Sequence, residues 1–189
     1  MDLEEKTIRK IYRYHGRIMN IRDDDVQLPN GKIASREVVE HVNGVCVLPI
    51  TEDNHVIMVR QYRYPYGETM LELPAGRLNR GEKPFPGALR ELHEETGLVG
   101  TSYFDLGRDY PSPGYTEEIT FMYAATGLKN IGQKLDEDEF LDVVSIPFDE
   151  AIRMCCDDEL TDSKTQIALL KYHVMKETGR LVPMKEEDQ

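Results

Sequence analysis

Residues 76–98 read GRLNRGEKPFPGALRELHEETGL, and this stretch decides the fold. Pro84 and Pro86 allow a helix to begin there, and Gly97 is a natural C-terminal stop. At about 100° per residue, small and apolar residues share one stripe, made of Phe85, Ala88, Leu89, Leu92 and Thr96. The stretch therefore predicts an amphipathic helix over 84–97 that packs this stripe against a core.

Three glutamates of the same helix, Glu91, Glu94 and Glu95, carry like charges within about one turn of each other. Such pairs destabilise a helix by roughly 0.2–0.5 kcal/mol each. A bound hard cation would make the same arrangement stabilising, since Mg²⁺ takes oxygen ligands from a few carboxylates and a substrate phosphate. We expect Glu91 and Glu95 on the flank of the helix beside this stripe, in a site at the surface, with Glu94 close by and Arg90 placed to orient Glu94. These residues alone leave two interpretations, a divalent metal site and a solvated acidic face.

Composition narrows the class of protein. The chain has 189 residues, of which 40% are hydrophobic and 31% charged, and this is typical of one soluble globular domain. Its net charge of −12 disfavours a nucleic-acid partner, because binding DNA or RNA needs a basic surface. We expect no secretory signal and no membrane association, since no apolar run approaches the ~20 residues of a membrane span. Cys46, Cys155 and Cys156 are interpreted as reduced thiols of a cytoplasmic protein.

Signals on both sides of the helix predict a mixed domain of the α+β type. Residues 7–41 alternate apolar and polar around Asn30-Gly31, which is a strong hairpin signal. Further strands are predicted over 44–50, 55–63, 70–76, 117–127 and 140–146, and further helices over 147–156 and 163–179. Ser163 and Gln166 have the spacing of a capping box. The order of elements argues against a doubly wound sheet.

Nine positions of the opening stretch have set spacings: Gly76, Glu82, Arg90, Glu91, Leu92, Glu94, Glu95, Gly97 and Leu98. The pattern resembles the Nudix box, whose family hydrolyses a nucleoside diphosphate linked to another group. The resemblance implies a Nudix α/β/α sandwich with a mixed sheet, preceded by an N-terminal antiparallel β subdomain. We expect the subdomain over 1–42, the Nudix domain over 43–180 and an acidic tail over 181–189.

Further segments of the chain resemble the ADP-ribose pyrophosphatase branch of this family. They are 16–41, 60–63, 72–78, 112–118 and 136–140, and Pro113 in the fourth of them matches a proline of that branch. The resemblance implies that ADP-ribose and water give AMP and ribose 5-phosphate. Hydrolysis of another nucleoside diphosphate, such as GDP-mannose or NADH, is the alternative within the same class. A non-catalytic module that binds ADP-ribose is the alternative of another class, although such modules usually lose glutamates of the box.

The resemblance assigns metal and catalytic roles to individual residues. The carbonyl of Ala75 and the carboxylates of Glu91 and Glu95 match ligands of Mg²⁺ or Mn²⁺, with Glu94 as a further ligand or an outer partner. Glu118 matches a loop glutamate that acts as general base or orients the attacking water. Its neighbour Glu117 is the rival for that role, because spacing alone does not separate the two.

Substrate roles follow from the same resemblance. Arg63 matches an arginine that contacts phosphate, and Glu82 matches a carboxylate near the terminal ribose. Ser112 and Gly114 lie where a family loop lines the pocket. Ile18 and Glu37 match residues near the adenine, and Asp136 and Asp138 match carboxylates from a partner subunit. These last matches imply a homodimer that exchanges its N-terminal strands.

One position departs from the family pattern. The family arginine two residues before Glu37 falls on Ser35, and Arg36 is one place off, which in a strand turns the side chain to the other face. Simpler interpretations also stay open for three features. In these interpretations, Arg63 is only a solvated charge at a strand edge, Glu118 is only a surface residue at the start of a strand, and 136–139 is only a solvated acidic turn.

Overall fold

The computed structural model describes residues 2–135 and 139–185. The chain forms two compact units, one made of Met1–Asn43 with Tyr110–Ile119 and a larger one made of Gly44–Asp109 with Thr120–Gln189. The elements in chain order are β1 (Lys6–His15), β2 (Met19–Gln27), β3 (Ile33–His41), β4 (Gly44–Pro49), β5 (His55–Arg63), β6 (Glu68–Glu72), β7 (Ala75–Arg77), α1 (Pro84–Thr96), β8 (Leu98–Val99), β9 (Ser102–Asp109), β10 (Thr120–Thr126), β11 (Lys129–Asn130), β12 (Leu141–Pro147), α2 (Phe148–Cys156) and α3 (Ser163–Glu177).

The N-terminal unit contains an antiparallel sheet in the order β1-β2-β3. The turn between β2 and β3 lies at Asn30-Gly31, where Gly31 has a φ of 82° that favours glycine. The Asn30 side chain accepts a hydrogen bond from the Lys32 amide at 3.0 Å, which closes the turn. The predicted hairpin is therefore confirmed.

The larger unit is built on a mixed sheet in the order β7-β4-β10-β9. Strands β4 and β10 run parallel, whereas β7 and β9 join them antiparallel. A second sheet has the order β12-β5-β6 and is antiparallel throughout. Strands β8 and β11 form a separate short pair.

The strand predicted over 70–76 is wrong as a single element. Its first half is β6, which pairs with β5, and its second half is β7, which pairs with β4 in the other sheet. Leu73 and Pro74 lie between them, and the Pro74 carbonyl accepts a hydrogen bond from the Val47 amide at 2.9 Å. This change of sheet brings residues 75–77 against helix α1.

Helices cover both faces of β4, because its side chains alternate between two cores. Val45 and Val47 pack in a cluster with the α1 side chains of Phe85, Ala88 and Leu92. Cys46 and Leu48 pack in a second cluster with the α3 side chains of Ala168 and Leu169. The result is the α/β/α layering expected from the sequence.

The start of α3 differs from its prediction. Asp162, not Ser163, caps this helix, because its carboxylate accepts a hydrogen bond from the Thr165 amide at 3.0 Å. Gln166 donates to the Leu160 carbonyl instead of closing a capping box. Helix α2 follows Pro147 as predicted. In the described ranges, no helix has the length and apolarity needed to cross a membrane.

Candidate active site

Helix α1 spans Pro84–Thr96 and ends at Gly97, whose φ of 72° is left-handed and whose amide donates to the His93 carbonyl at 2.8 Å. Its position and its buried stripe agree with the prediction. The expected exposure of Glu91 and Glu95 is wrong. These two residues are 6% and 3% exposed, because the helix turns them toward β7 beside the core.

Strand β7 holds both buried glutamates through its backbone. The Ala75 amide donates a hydrogen bond to Glu95 Oε2 at 2.9 Å. The Glu91 carboxylate lies over Gly76, where an added Cβ would be 2.2 Å from the carboxyl carbon. Residue 76 must therefore lack a side chain if Glu91 is to keep its place, which explains why a glycine begins the sequence pattern.

Arg90 organises the outer side of this acidic cluster. Its guanidinium donates to Glu82 at 2.9 Å, to Glu91 at 2.7 Å and to Glu94 at 2.9 Å. It also donates to the Arg77 carbonyl at 3.0 Å. The predicted pairing of Arg90 with Glu94 is confirmed, whereas the other contacts were not predicted. One guanidinium thus aligns three carboxylates of the box and ties α1 to β7.

Glu82 lies in the loop that leads into α1. Its carboxylate accepts the Asn79 amide at 2.8 Å as well as the two bonds from Arg90. These bonds keep the pKa of Glu82 below its usual range, with the Arg90 hydrogen bond as the largest cause. In this structure Glu82 therefore stabilises the loop, and the ribose contact that the sequence suggests is a separate expectation.

The two buried carboxylates carry charge that the protein leaves under-compensated. Burial, helped by the charges of Glu91 and Glu139 and opposed by the Ala75 hydrogen bond, raises the pKa of Glu95 to about 8. Burial also raises the pKa of Glu91, which Arg90 offsets in part. The sequence analysis treats Glu139 only as part of the acidic run at 136–139 and assigns it no role beside Glu95. A divalent cation would favour the charged forms of both groups.

The donors present fit such a cation. They are hard carboxylate oxygens next to a backbone strand, which suits Mg²⁺ or Mn²⁺ better than a thiolate-seeking metal. In the described part of the chain, no three acidic, histidine or cysteine side chains converge closely enough to hold an ion alone. Glu91 and Glu95 would therefore need the Ala75 carbonyl, water or a substrate phosphate to complete a coordination shell, with Glu94 as a further candidate.

Gly76→Ala is expected to lower kcat/KM by about tenfold or more, because the new methyl group displaces the Glu91 carboxylate from the place where it would hold a metal. Steady-state kinetics with a saturating divalent cation measures the change. The double variant Gly76→Ala/Glu91→Gln should be no worse than Glu91→Gln alone. Multiplying losses in the double variant would show that Gly76 acts on something other than Glu91.

Arg63 contacts a buried carboxylate that the sequence analysis missed. Its Nε and Nη2 donate to Glu72 at 2.5 and 2.8 Å, and Glu72 is 1% exposed. Lys164 Nζ donates to the same carboxylate at 2.5 Å and to Asp162 at 2.8 Å. Burial alone would raise the pKa of Glu72, but Arg63 and Lys164 hold it below its usual range. Arg63 is thus not a merely solvated edge charge.

The loop 110–119 carries the two candidates for the general base, Glu117 and Glu118, and belongs to the N-terminal unit. The strand predicted from residue 117 begins at Thr120, so Glu117 and Glu118 lie in the loop. Glu117 accepts a hydrogen bond from Arg22 at 2.6 Å. Glu118 Oε2 lies 3.7 Å from His41 Nδ1. The two adjacent carboxylates therefore have different surroundings.

Other predicted substrate residues are distributed as follows. The Ser112 carbonyl accepts the amides of Tyr115 and Thr116 at 3.1 Å, and nothing lies within 4 Å of a Cβ on Gly114. Ile18 and Glu37 are exposed on the N-terminal unit. Asp136 and Asp138 lie outside the described residues.

The departure from the family pattern also has a structural setting. Ser35 donates its hydroxyl hydrogen bond to Asp23, on the neighbouring strand β2. Arg36 donates to Glu5 at 2.6 Å. Both side chains are thus engaged within the N-terminal unit.

Comparison with known proteins agrees with this geometry. Residues 40–168 match the family model described as the NUDIX domain, and residues 5–39 match the nucleoside diphosphate sugar hydrolase N-terminal domain. An ADP-ribose pyrophosphatase of Bacillus subtilis is 41% identical over 93% of this chain and 95% of its own. A methanol dehydrogenase activator of Bacillus methanolicus is 44% identical over 88% of this chain and 91% of its own.

A solved structure described as an ADP compounds hydrolase has the same fold. Its TM-score is 0.82 at 23% sequence identity, and the match covers 95% of this chain and 99% of that one. The family model alone spans well over half of the chain and includes helix α1 with its buried glutamates and strand β7 beneath them. The chain therefore belongs to the NUDIX domain family.

Proposed function

We propose that this protein hydrolyses the diphosphate of ADP-ribose, adding one water to give AMP and ribose 5-phosphate. The substrate follows from the similarity to the Bacillus subtilis ADP-ribose pyrophosphatase, which extends over nearly the whole of both chains. The observation that carries the hydrolytic chemistry is the pair Glu91 and Glu95, buried against Ala75 and Gly76. A buried acidic pair of this kind costs stability unless a cation and an anionic substrate use it.

Glu91, Glu95 and the Ala75 carbonyl would hold the cation, Mg²⁺ or Mn²⁺, with Glu94 as a further ligand. When bound, such a cation neutralises a diphosphate, polarises its phosphorus–oxygen bonds and lowers the pKa of a coordinated water. Arg90 keeps the carboxylates aligned through its bonds to Glu91 and Glu94. Glu118 takes a proton from the attacking water or orients that water.

Arg63 is assigned to a phosphate of the substrate. Its Nε and Nη2 are used by Glu72, and its Nη1 makes no hydrogen bond to any residue in the described ranges. A guanidinium held in this way presents a charged N–H group in a set orientation. The other substrate contacts are assigned by resemblance to Glu82, Ser112, Gly114, Ile18, Glu37, Asp136 and Asp138.

Arg63→Lys is expected to raise the KM for ADP-ribose by about tenfold with a smaller change in kcat, since one charged hydrogen bond is worth roughly 1.5–3 kcal/mol. A lysine cannot bond Glu72 through two atoms and still direct a third toward a phosphate. Arg60→Lys is the matched control, because Arg60 is exposed on the same strand. An unchanged KM in Arg63→Lys would remove Arg63 from the phosphate site.

The working form is proposed to be a cytoplasmic homodimer with exchanged N-terminal strands. Several large apolar side chains of the N-terminal sheet are exposed in the single chain, among them Ile8, Tyr12, Tyr14 and Ile33, which supports a covered surface. Cys46, Cys155 and Cys156 are free thiols, which supports a reducing compartment. Light scattering of the full chain tests the dimer, and a monomer mass at micromolar concentration would contradict it.

A nucleoside diphosphate sugar is the second candidate substrate. It is favoured by the match of residues 5–39 to the nucleoside diphosphate sugar hydrolase N-terminal domain. It is also favoured by Ser35, which replaces the arginine expected near the adenine and instead bonds Asp23. GDP-mannose and NADH test this candidate beside ADP-ribose.

The experiment is product analysis of purified protein with ADP-ribose and Mg²⁺, with and without EDTA. We expect AMP and ribose 5-phosphate, and EDTA should abolish both. Faster cleavage of GDP-mannose or NADH would identify that compound, and not ADP-ribose, as the preferred substrate. Binding of ADP-ribose without AMP release in Mg²⁺ or Mn²⁺ would identify a non-catalytic module instead.

A further inference from the structure

A single buried arginine links two strands of the N-terminal sheet to the loop 110–119. Arg22 lies on β2, is 5% exposed, and donates to the carboxylates of Asp24 at 2.8 Å, of Glu40, and of Glu117 at 2.6 Å. Burial opposes its charge, but the hydrogen bonds with Glu117 and Asp24 outweigh this and raise the pKa of Arg22. The guanidinium is therefore charged, and each of its three nitrogens donates to a carboxylate.

The orientation of this guanidinium is set within the sheet. Asp24 and Glu40 lie on β2 and β3, and Glu40 is itself held by Tyr12 Oη at 2.9 Å and by Asn20 Nδ2 at 3.3 Å. Because the guanidinium is planar and its Nε and Nη1 are held by Asp24 and Glu40, the direction of Nη2 is set. Nη2 donates to Glu117, so the sheet positions the loop through this residue.

Main-chain bonds hold the same part of the loop. The Val39 amide donates to the Tyr115 carbonyl at 2.7 Å, and the Glu117 amide donates to the Val39 carbonyl at 3.1 Å. The Ile119 amide donates to Asn43 Oδ1 at 3.0 Å. These bonds fix the backbone on both sides of residue 118, and the ion pair of Glu117 adds a side-chain anchor beside it.

The anchor separates the roles of two adjacent carboxylates. Glu117 Oε1 accepts a hydrogen bond from the Arg22 guanidinium at 2.6 Å, so this carboxylate is held in an ion pair and is not free to turn toward a substrate. The Glu118 side chain makes no hydrogen bond with any residue that the structure describes, and its Oε2 lies 3.7 Å from Nδ1 of the His41 ring. Glu118 is the member of the pair that is available for chemistry.

We infer that Arg22 and Glu117 are positioning residues for Glu118. Their ion pair holds the loop so that the Glu118 carboxylate is presented in one orientation, and Glu117 itself takes no part in proton transfer. This inference rests on the proposed hydrolysis of ADP-ribose and on Glu118 as its loop base. It goes further by naming the pair that sets the geometry of that base.

The test is a kinetic double-mutant cycle with Glu117→Gln, Glu118→Gln and the double variant, on ADP-ribose with Mg²⁺. Glu117 is used because its side chain is 50% exposed, so the variant leaves less buried charge unpaired than a change at Arg22. We expect Glu117→Gln to lower kcat about tenfold with little change in KM. In the Glu118→Gln background the same change should have no further effect.

Two results would overturn the inference while leaving the proposed function intact. One is an equal loss of kcat from Glu117→Gln in both backgrounds, which would mean a general structural role. The other is a larger loss from Glu117→Gln than from Glu118→Gln, which would make Glu117 the reacting group. A wild-type protein that releases no AMP would instead overturn the proposed function.

A second readout does not depend on activity. Hydrogen exchange of peptides from 110–119 should be faster in Glu117→Gln than in the wild type, and unchanged in Glu118→Gln. Asp25→Asn is the matched control, since it breaks the exposed Arg9–Asp25 ion pair of the same strand β2. The control should keep wild-type kcat and wild-type exchange in the loop. Unchanged exchange in Glu117→Gln would show that the ion pair does not hold the loop.

Discussion

Glu95→Gln is expected to lower turnover of ADP-ribose by a factor of about one hundred to one thousand, because it removes a charged oxygen from the proposed metal site. The fold should persist. Glutamine has nearly the same shape, and its side-chain oxygen can still accept the Ala75 amide that Glu95 accepts at 2.9 Å. Single-turnover kinetics over a range of Mg²⁺ concentrations measures the loss.

The same variant should gain stability in metal-free solution at alkaline pH. Burial raises the pKa of Glu95 from 4.5 to about 8 in the folded protein. Between these two values the folded chain binds more protons than the unfolded chain, so the free energy of unfolding falls as pH rises. Glu95→Gln removes this contribution, and its thermal midpoint at pH 8 in EDTA should lie a few degrees above that of the wild type.

The matched control is Glu177→Gln, on an exposed position of helix α3. It should alter neither turnover nor the dependence of stability on pH. Unfolding of Glu95→Gln would show that the carboxylate is a structural group. If the free energy of unfolding depends on pH equally in the wild type and in Glu95→Gln, burial does not destabilise the charged form of Glu95.

Glu118→Gln is expected to lower kcat by about a hundredfold with little change in KM, which is the effect of losing a general base. The amide cannot take a proton from water, while the loop keeps its backbone bonds between Val39 and residues 115 and 117. The affinity for ADP-ribose, measured by calorimetry in Ca²⁺ to suppress turnover, should be unchanged. A raised KM with normal kcat would make Glu118 a substrate contact.

Local features of this protein could be predicted from the sequence because they depend on neighbours along the chain. The helix at 84–97 is defined by its prolines, its apolar period and Gly97, and the hairpin by Asn30-Gly31. The nine spaced positions of the box lie in consecutive elements, from β7 through the following loop and α1 to the first residue of β8. The pairing of Arg90 with Glu94 is likewise a contact across one helical turn.

The predictions from sequence were wrong where tertiary contacts decide the structure, as when two halves of one segment pair with different sheets. Residues 70–76 alternate like one strand, yet β6 and β7 join different sheets on either side of Leu73 and Pro74. The angle of Glu95 on the helix places it on the flank beside the apolar stripe. That angle does not reveal that β7 covers this flank, so its burial was missed.

The sequence by itself determined the family pattern and the helix that carries the acidic cluster. Only the tertiary structure decided which charges meet. The Glu72 carboxylate binds Arg63 and also Lys164, which lies 92 residues further along the chain. Arg22 binds Glu117, which lies 95 residues away in the sequence. Helical and strand periods place a side chain on a face of its own element, but the partner on the facing element is set by how the sheets pack. Such long-range contacts distinguish a positioning carboxylate from a reacting one.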